Sequence, residues 1–349
     1  MTVPGSGSSV AELELTTVAD DEVVAFRGTE VHRWAGLEPG TEHVLDGLAV
    51  RTLDRPPGAL LATVATANDV HFGETACGVV EGTDVGPVFR SEPGEPPYPE
   101  LMNTAAVAEM AALREGSGPD AVVVKGDLTA EGTLEEYEAF LACYGAFGDR
   151  LHHVRGNHDG YHGGTYASEP VQEVVLPGVT LAILDTTKQG DTPGQVTGEQ
   201  LAWLDELGSR ADRPVLVFGH HHVWAPGSRT RSDTYFGIHP DDSERLVEVV
   251  ARRRALVGYF AGHTHRNRVR RFPATGDVPW VEVSAVKDFP GAWAEYRVFE
   301  GGILQVLRRV SSPAALAWSE KTRSMYGGLY GGYAFGELPD RCFPIALRP

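Results

Sequence analysis

The sequence feature that most constrains the fold is a series of apolar, β-branched runs that end abruptly in polar residues. The series begins at residue 59, and the runs read ALLATVATAND, AVVVKGD, LHHVRGN, TLAILD, RPVLVFGH, LVGYFAGH and VPWVEVSAV. Nearly continuous apolar strands are typical of sheets covered on both faces. Because amphipathic helical segments separate several of them, the pattern predicts an α/β fold. The 349 residues suffice for one large domain or for two domains.

The helical segments carry recognisable start signals. In TLEEYEAFLACYGAFG, Thr133 and Glu136 form a capping box, and Thr197 with Gln200 forms a second one before GEQLAWLDELGSR. Helical spacing predicts one buried face in the first segment, made of Leu134, Tyr137, Leu141 and Tyr144.

The first 55 residues differ from the rest of the chain. They contain short β-prone runs separated by Gly, Pro and Asp, and they end at the turn-like DRPPG. We therefore expect a small N-terminal β module over residues 1–55 and a main domain over residues 56–349, with an aromatic and Gly-rich C-terminal extension from about 287. The phrase GLEPGTEH resembles a turn of fibronectin type III-like modules.

Charge and cysteine content exclude several classes of protein. The 30 Lys plus Arg against 48 Asp plus Glu give a net charge of -18, which repels phosphate backbones, so no stable nucleic-acid complex is expected. The three cysteines have no CxxC spacing, which argues against a disulfide framework or a cysteine zinc site. Without a run of ~20 apolar residues, no membrane association is expected, and a cytoplasmic protein is predicted.

Candidate functional residues follow the predicted strands. Because ligands bind outside the carboxyl ends of strands in open α/β sheets, these residues should converge on one crevice. Imidazole and carboxylate groups without thiolates form an N/O site suited to Fe, Mn, Zn or Co. The residues occur in the fragments NDVHFG (Asp69, His71), KGDLT (Asp127), RGNHDG (Asn157, His158, Asp159), FGHHHVW (His220, His221, His222) and AGHTHR (His263, His265).

These five fragments, over roughly residues 60 to 285, resemble the ordered motifs D-x-H, GD, GNH[DE], H and GHxH of the calcineurin-like metallophosphoesterases. The resemblance implies a β-sandwich flanked by helices and two divalent metal ions. It implies that one ion is held by Asp69, His71, Asp127 and His265, and the second by Asp127, Asn157, His220 and His263, so that Asp127 bridges them. Within the family, GDLTAEGTLEEYEAF is most similar in character to class III cyclic nucleotide phosphodiesterases.

The chemistry of such a site predicts a phosphoester hydrolase that acts on a small phosphoester. Two divalent ions leave a residual positive charge for the anionic substrate, and a bridging hydroxide can attack phosphorus. His158 is expected to protonate the leaving alkoxide as general acid, with Asp159 fixing its tautomer. A phosphodiesterase is the leading hypothesis. A phosphomonoesterase, protein phosphatase or nuclease is the alternative, and an inactive binding or regulatory protein represents a different class.

Some assignments stay open in the sequence. Aligning the strand VLVF and Gly219 favours His220 over His221 as the ligand, and His222 either lines the pocket or faces solvent. Arg155 and Arg266 are candidates for phosphate contacts and equally for structural ion pairs. Substrate specificity is expected in the irregular stretch 73–101, in the aromatic tail or in the N-terminal module.

Overall fold

The structure is a computed structural model that describes residues 13–80, 82–228, 232 and 235–348. Its β-strands are numbered in chain order. They are β1 (Glu14–Val18), β2 (Glu22–Arg27), β3 (Glu30–Ala35), β4 (Glu42–Leu45), β5 (Leu48–Arg51), β6 (Leu60–Ala67), β7 (Ala121–Lys125), β8 (Leu151–Val154), β9 (Val171–Leu176), β10 (Val179–Leu184), β11 (Val215–Phe218), β12 (Leu256–Ala261), β13 (Arg268–Arg270), β14 (Trp280–Glu282), β15 (Ala292–Phe299), β16 (Gly302–Arg309) and β17 (Phe343–Ile345).

The α-helices lie mainly between the strands, and short 3-10 turns extend some of them. They are α1 (Tyr98–Ala111), α2 (Leu134–Tyr144), α3 (Asn157–Gly160), α4 (Gly198–Arg210), α5 (Pro240–Arg252), α6 (Pro313–Thr322), α7 (Tyr330–Phe335) and α8 (Leu338–Arg341). Within the described ranges, no helix is long and apolar enough to cross a bilayer.

Two six-stranded sheets form a sandwich. The first has the order β17-β16-β15-β6-β7-β8, with β6, β7 and β8 parallel and β15 antiparallel to β6. The second has the order β13-β14-β12-β11-β10-β9, with β10, β11, β12 and β14 parallel. The parallel strands of each sheet therefore carry their carboxyl ends to a common edge.

The core lies between the two sheets, and helices cover the outer faces. Val64 and Val123 of the first sheet pack with Leu181, Phe218 and Phe260 of the second. Helices α1, α2 and α6 cover the outer face of the first sheet, and α4 and α5 cover that of the second. The predicted α/β sandwich flanked by helices is confirmed.

The N-terminal strands are built onto the same core. β1, β2 and β3 form an antiparallel sheet, and β4 pairs with β5 as a hairpin. Val18, Val23 and Val50 belong to the core that also contains Val64, and the Thr17 hydroxyl donates to the carbonyl of Leu307 at 2.6 Å. The N-terminal module is thus packed against β16 of the sandwich.

Two sequence expectations change. Both capping boxes are present, but Leu134 and Leu141 are 63% and 37% exposed, whereas Phe140 and Tyr144 are buried, so the predicted face of α2 was right for Tyr144 and wrong for the two leucines. Tyr137 lies on the stripe with them and stacks on Phe140. The stretch after residue 287 is also more than an extension, because it supplies β15 and β16 to the first sheet.

Candidate metal centre

The polar residues after the strands converge at the shared edge of the two sheets. Two groups have ligand atoms within 4.8 Å of one another, and this distance is short enough for one ion to be held in each group. The groups consist of Asp69, His71, Asp127 and His265, and of His220, His221 and His263.

The backbone at these positions is unusual. Asp69, His71, Asp127, His263 and His265 all have positive φ angles, between 48° and 68°. Non-glycine residues rarely adopt this region, at a cost of about 1 to 3 kcal/mol each, and they concentrate at functional sites. The strand ends are therefore bent sharply so that these side chains face one another.

Two glycines make this close approach possible. A Cβ on Gly126, whose φ is +89°, would lie 2.6 Å from the imidazole Nδ1 of His220. A Cβ on Gly156 would lie 2.2 Å from the Asp127 carboxylate. The glycines in KGD and RGNHD thus leave room for the functional side chain that follows or faces them.

Asp127 lies between the two groups. Its Oδ2 is 3.4 Å from His71 Nε2 and 3.3 Å from His220 Nε2, and its Oδ1 accepts the backbone N–H of His158 at 3.0 Å. Burial opposes ionisation, but the imidazoles of His220 and His158 hold the pKa of Asp127 well below its usual value. The group is a carboxylate that faces both halves of the site.

His220 and His221 have different surroundings. His220 donates from Nδ1 to the carbonyl of Lys125 at 2.8 Å, which leaves Nε2 directed at Asp127 and at the Asn157 amide oxygen 3.1 Å away. His221 has both ring nitrogens in contact with protein groups, the Thr186 hydroxyl at 2.8 Å and the Thr192 carbonyl at 3.1 Å. This arrangement favours His220 as the ligand.

Asn157 and His263 are oriented by their other polar atoms. The Asn157 amide donates to the Tyr161 hydroxyl at 2.6 Å, so its oxygen faces His220. His263 Nε2 is 2.8 Å from the carbonyl oxygen of Phe236, which leaves Nδ1 for the site. Fixing one nitrogen of an imidazole in this way is typical of metal-ligating histidines.

His265 is flanked by two buried carboxylates. Its Nε2 is 3.4 Å from Asp69 and its Nδ1 is 3.8 Å from Asp288, a residue that the sequence analysis missed. Burial opposes the imidazolium, but Asp69 and Asp288 raise the pKa of His265 to about 10. Asp288 itself accepts from the Tyr330 hydroxyl at 2.6 Å and pairs with Lys287 at 3.0 Å.

The donor set fits two divalent ions. Asp69 and Asp127 are at most 2% exposed, and the groups beside them are imidazole nitrogens rather than guanidinium groups. His71 is also buried, and neither of its ring nitrogens makes a well-aligned hydrogen bond within the described residues. Buried charges and unpaired polar atoms of this kind are accommodated when a metal ion lies between them.

His158 and Asp159 do not contact each other as expected. His158 Nδ1 lies 2.7 Å from the carbonyl oxygen of Ala130, so a backbone group fixes its tautomer. Asp159 instead accepts the backbone N–H groups of Leu128, Thr129 and Gly156 at 2.7 to 3.0 Å. The expectation that Asp159 orients His158 is corrected, because two of these bonds tie Asp159 to the loop after β7 and the third ties it to Gly156 of its own loop.

Burial and the nearby Asp127 carboxylate raise the pKa of Asp159 to about 6, although its hydrogen bonds favour the ionised form. Its contacts connect the GD and GNHD loops, which carry Asp127 and Asn157. We therefore assign Asp159 a positioning role.

The structure also shows the surroundings of His222 and of the two arginines whose roles the sequence left undecided. Arg155 pairs with Asp185 at 2.7 Å and Arg266 with Glu282 at 2.8 Å, so both form structural ion pairs. His222 is buried and packs its ring against Tyr235 and Phe236, and it does not face solvent.

Residues of the C-terminal tail border the site, and the sequence analysis did not assign them a role. A cavity of about 450 Å³ is lined by Phe236, His263, Thr264, His265, Tyr326, Leu329, Tyr330 and Tyr333. The signal in the sequence was the aromatic and Gly-rich segment SMYGGLYGGYAFG, but nothing in it indicated which part of the fold it would contact.

The sandwich with this cluster at its edge defines the class of protein. Residues 62–267 match the calcineurin-like phosphoesterase family, which covers more than half of the chain. The chain therefore belongs to the calcineurin-like phosphoesterases, as its motifs predicted.

Curated relatives extend this comparison. The chain is 30% identical over 176 residues to the glycerophosphodiester phosphodiesterase GpdQ of Enterobacter lignolyticus, covering 47% of this chain and 61% of that protein. It is 27% identical over 158 residues to the 3',5'-cyclic adenosine monophosphate phosphodiesterase CpdA of Pseudomonas aeruginosa, covering 44% and 57%. The chain spans 57% to 63% of the length of the first relatives that it matches.

Among solved structures, the chain is similar to a dimetal phosphatase from Danio rerio with a TM-score of 0.57. The sequences are 14% identical, and the match covers 83% of this chain and all of the other. At this identity the similarity concerns the fold.

Proposed function

We propose that the protein is a binuclear metal-dependent phosphodiesterase. The observation that carries the proposal is the position of Asp127, whose Oδ2 lies 3.4 Å from His71 Nε2 and 3.3 Å from His220 Nε2. A carboxylate between two sets of metal-ligating groups is the arrangement that a bridged pair of ions requires. Relatives named as phosphodiesterases support the diester as substrate.

The proposed ligands follow the two halves of the cluster. The first ion would be held by Asp69, His71, Asp127 and His265, and the second by Asp127, Asn157, His220 and His263. His221 belongs to the second group by distance. Its two hydrogen-bonded nitrogens argue for a supporting role beside His220.

When bound, the ions would supply a nucleophile at neutral pH and neutralise charge on the phosphoryl oxygens. His158 is proposed as the general acid. Because Nδ1 is held by the Ala130 carbonyl, Nε2 is the atom that carries the proton to the leaving alkoxide. His71 packs edge-on against the His158 ring, with 4.5 Å between centroids, and limits its rotation.

The finer assignments are also proposals. A set of N and O donors without sulfur suits Fe, Mn or Zn. The described cysteines, Cys77, Cys143 and Cys342, are free thiols, which suits a reducing compartment, and we propose a cytoplasmic location. We propose a small phosphoester as substrate. We also propose dividing the chain into residues 1–55 and 56–349, supported by the sheet and hairpin of β1 to β5.

A substrate panel with metal-loaded protein tests the function. The protein is reconstituted with Mn, Fe or Zn, and hydrolysis of phosphodiesters is compared with that of phosphomonoesters carrying the same alcohol. The proposal expects a higher kcat/KM for the diesters. Asp127→Asn should abolish most activity, whereas His162→Gln, at an exposed residue that pairs with Glu131, serves as the control.

The outcome distinguishes the alternatives. A preference for monoesters would identify a phosphomonoesterase or protein phosphatase, and cleavage of polynucleotides would identify a nuclease. Hydrolysis of none of these substrates by protein containing two metal ions would contradict the proposal.

A further inference from the structure

The cavity beside the candidate metal centre has an unusual lining. It encloses about 450 Å³ and borders His263 and His265 on one side. Its other walls come from Phe236, before α5, and from the tail segment that leads into α7. The cavity therefore adjoins one residue of each half of the metal cluster, His265 of the first and His263 of the second.

Apart from the imidazoles, the walls carry no charged group in the described part of the chain. Leu329 is 77% exposed, and Phe236 and Tyr333 are each 44% exposed. Large apolar side chains left open beside a polar site are typical of a ligand-binding surface.

Two of the tyrosines in the wall, Tyr330 and Tyr333, present their rings rather than their hydroxyl groups. Tyr330 donates its hydroxyl to Asp288 at 2.6 Å, and Tyr333 donates its hydroxyl to the carbonyl of Thr264 at 3.0 Å. The ring of Tyr330 lies near that of Tyr333, with centroids 6.3 Å apart and an angle of 30°. With the hydroxyls engaged, what remains for a ligand is aromatic surface.

One polar atom in the cavity wall is unpaired. The Thr264 hydroxyl is buried, in a residue that is 5% exposed, and it has no hydrogen-bond partner within the described ranges. A buried hydroxyl without a partner costs free energy unless a ligand or water satisfies it. The Thr264 oxygen has almost no accessible surface, so the open cavity presents mainly aromatic and aliphatic side chains.

We propose that this cavity binds an uncharged ring carried on one ester oxygen of the substrate, so that the preferred substrates are phosphodiesters with an aromatic or alicyclic substituent. This inference rests on the proposed phosphodiesterase function and specifies its substrate class. Stacking on Tyr326 and Tyr333 and contact with Leu329 would supply the affinity. A polyol such as glycerol would place most of its hydroxyl groups against these rings and Leu329.

The same walls disfavour a cationic substituent. The guanidinium of Arg266 already lies over the Tyr333 ring, 5.2 Å from its centroid. One face of this ring is therefore already covered by a cation, which leaves only the other face for a quaternary ammonium group.

A larger cleft does not compete for this role. It encloses about 760 Å³ and is lined by Leu60, at the amino end of β6, whereas the metal centre follows the carboxyl end of that strand. Arg308 and Arg297 in this cleft pair with Glu295 at 2.7 and 3.0 Å. These two arginines are thus already paired with a carboxylate.

The test compares inhibitors that share a phosphonate group. Benzylphosphonate and methylphosphonate are measured as competitive inhibitors of bis(4-nitrophenyl) phosphate hydrolysis by the Mn-loaded protein, with calorimetric dissociation constants measured in parallel. Burial of the ring should make benzylphosphonate bind about ten- to fiftyfold more tightly. Cyclohexylmethylphosphonate should show a similar preference over methylphosphonate.

Substitutions in the cavity wall test where the ring of the bound phosphonate lies. Leu329→Ala and Tyr333→Ala should each reduce the benzyl-to-methyl preference at least about threefold. Leu60→Ala removes a leucine that is 45% exposed at the opposite end of β6 and should leave the preference unchanged. Thermal transitions confirm that the variants are folded, and Leu329, being the most exposed of the lining side chains, is the variant least able to disturb the fold.

The outcomes separate this inference from the proposed function. Equal binding of benzyl- and methylphosphonate would overturn the proposal that the cavity binds a ring, even if the diester is hydrolysed. Tighter binding of 2-(trimethylammonio)ethylphosphonate than of benzylphosphonate would also overturn it. A preference that survives both Leu329→Ala and Tyr333→Ala would also overturn it. Absence of hydrolysis with two metals bound would contradict the phosphodiesterase, while the calorimetric ratio would still test the cavity.

Discussion

The imidazole of His158 lies with Nδ1 2.7 Å from the carbonyl oxygen of Ala130. A carbonyl can only accept, so Nδ1 is the donor in this contact and Nε2 is the nitrogen left to face a substrate. The backbone N–H of the same residue donates to Asp127 at 3.0 Å. The proposed proton donor is therefore anchored both to the loop after β7 and to the carboxylate at the centre of the site.

Replacing His158 should reduce activity by an amount that depends on the leaving group of the substrate. General-acid catalysis contributes about 100- to 10,000-fold when the leaving alkoxide needs a proton, and little when nitrophenolate leaves. His158→Ala should therefore retain its metals, lose activity by this factor on an alkyl or nucleoside diester, and lose much less on a nitrophenyl diester. Steady-state kinetics at measured metal content provide the test.

An equal loss on both substrates would mean that His158 positions the substrate instead. His162→Gln is a suitable control, since His162 lies a few residues further along the chain and its side chain is 67% exposed.

Asp127→Asn should disturb both metal sites together. The wild-type protein is expected to bind close to two transition-metal ions per chain, and the variant no more than one, because its amide cannot supply the charge shared by the two halves. Elemental analysis after reconstitution and desalting measures this. A variant that still binds two ions would refute the bridging role.

His220→Ala and His221→Ala form a matched pair on adjacent residues. His220 presents Nε2 to Asp127 at 3.3 Å, whereas His221 has its nitrogens engaged by Thr186 and Thr192. His220→Ala should therefore lower metal occupancy and activity about tenfold or more, which is the range seen when metal sites lose supporting groups. His221→Ala should lower both by a smaller factor. The reverse ranking would assign the ligand to His221.

The sequence allowed the candidate residues to be grouped because each lies within a few residues of the end of a strand. Chain order and polarity then indicate one edge of the sheet, as for Asp127 after β7 and His220 after β11. What the sequence could not indicate was the contact between distant segments. Asp288 lies beside His265, and the Ala130 carbonyl, rather than Asp159, contacts His158, because loop conformation decides these pairs.

For the fold as well, local features could be predicted from the sequence and contacts between distant segments could not. Apolar runs such as AVVVKGD identified the parallel strands, because consecutive residues of such a strand are all buried. The tail could not be placed in the same way, because β15 pairs antiparallel with β6 across more than two hundred residues. Helical periodicity predicted Leu141 on the buried face of α2, whereas the structure buries Phe140, and Tyr137 beside it stacks on Tyr166 with ring centroids 4.1 Å apart.

Stability should fall in mild acid because of His153. This ring lies outside the metal cluster, where its Nε2 contacts the Tyr137 hydroxyl at 2.8 Å, and burial, with some repulsion from His152, lowers the pKa of His153 to about 4 from 6.5. Between these values the unfolded chain binds a proton that the native protein does not. The native state is therefore favoured fully above pH 6.5 and loses up to about 3 kcal/mol on acidification to pH 4.

His153→Gln should remove the contribution of this one imidazole to the dependence while keeping a polar partner for Tyr137, and the other buried histidines keep theirs. The measurement is the free energy of unfolding from denaturant titrations between pH 7 and pH 4.5, with metal-free protein so that ligand protonation is common to all variants. His162→Gln, at an exposed side chain, should retain the wild-type slope. If His153→Gln loses stability on acidification as steeply as the wild type, the buried neutral imidazole is not the group responsible, because no other difference between the two proteins titrates in this range.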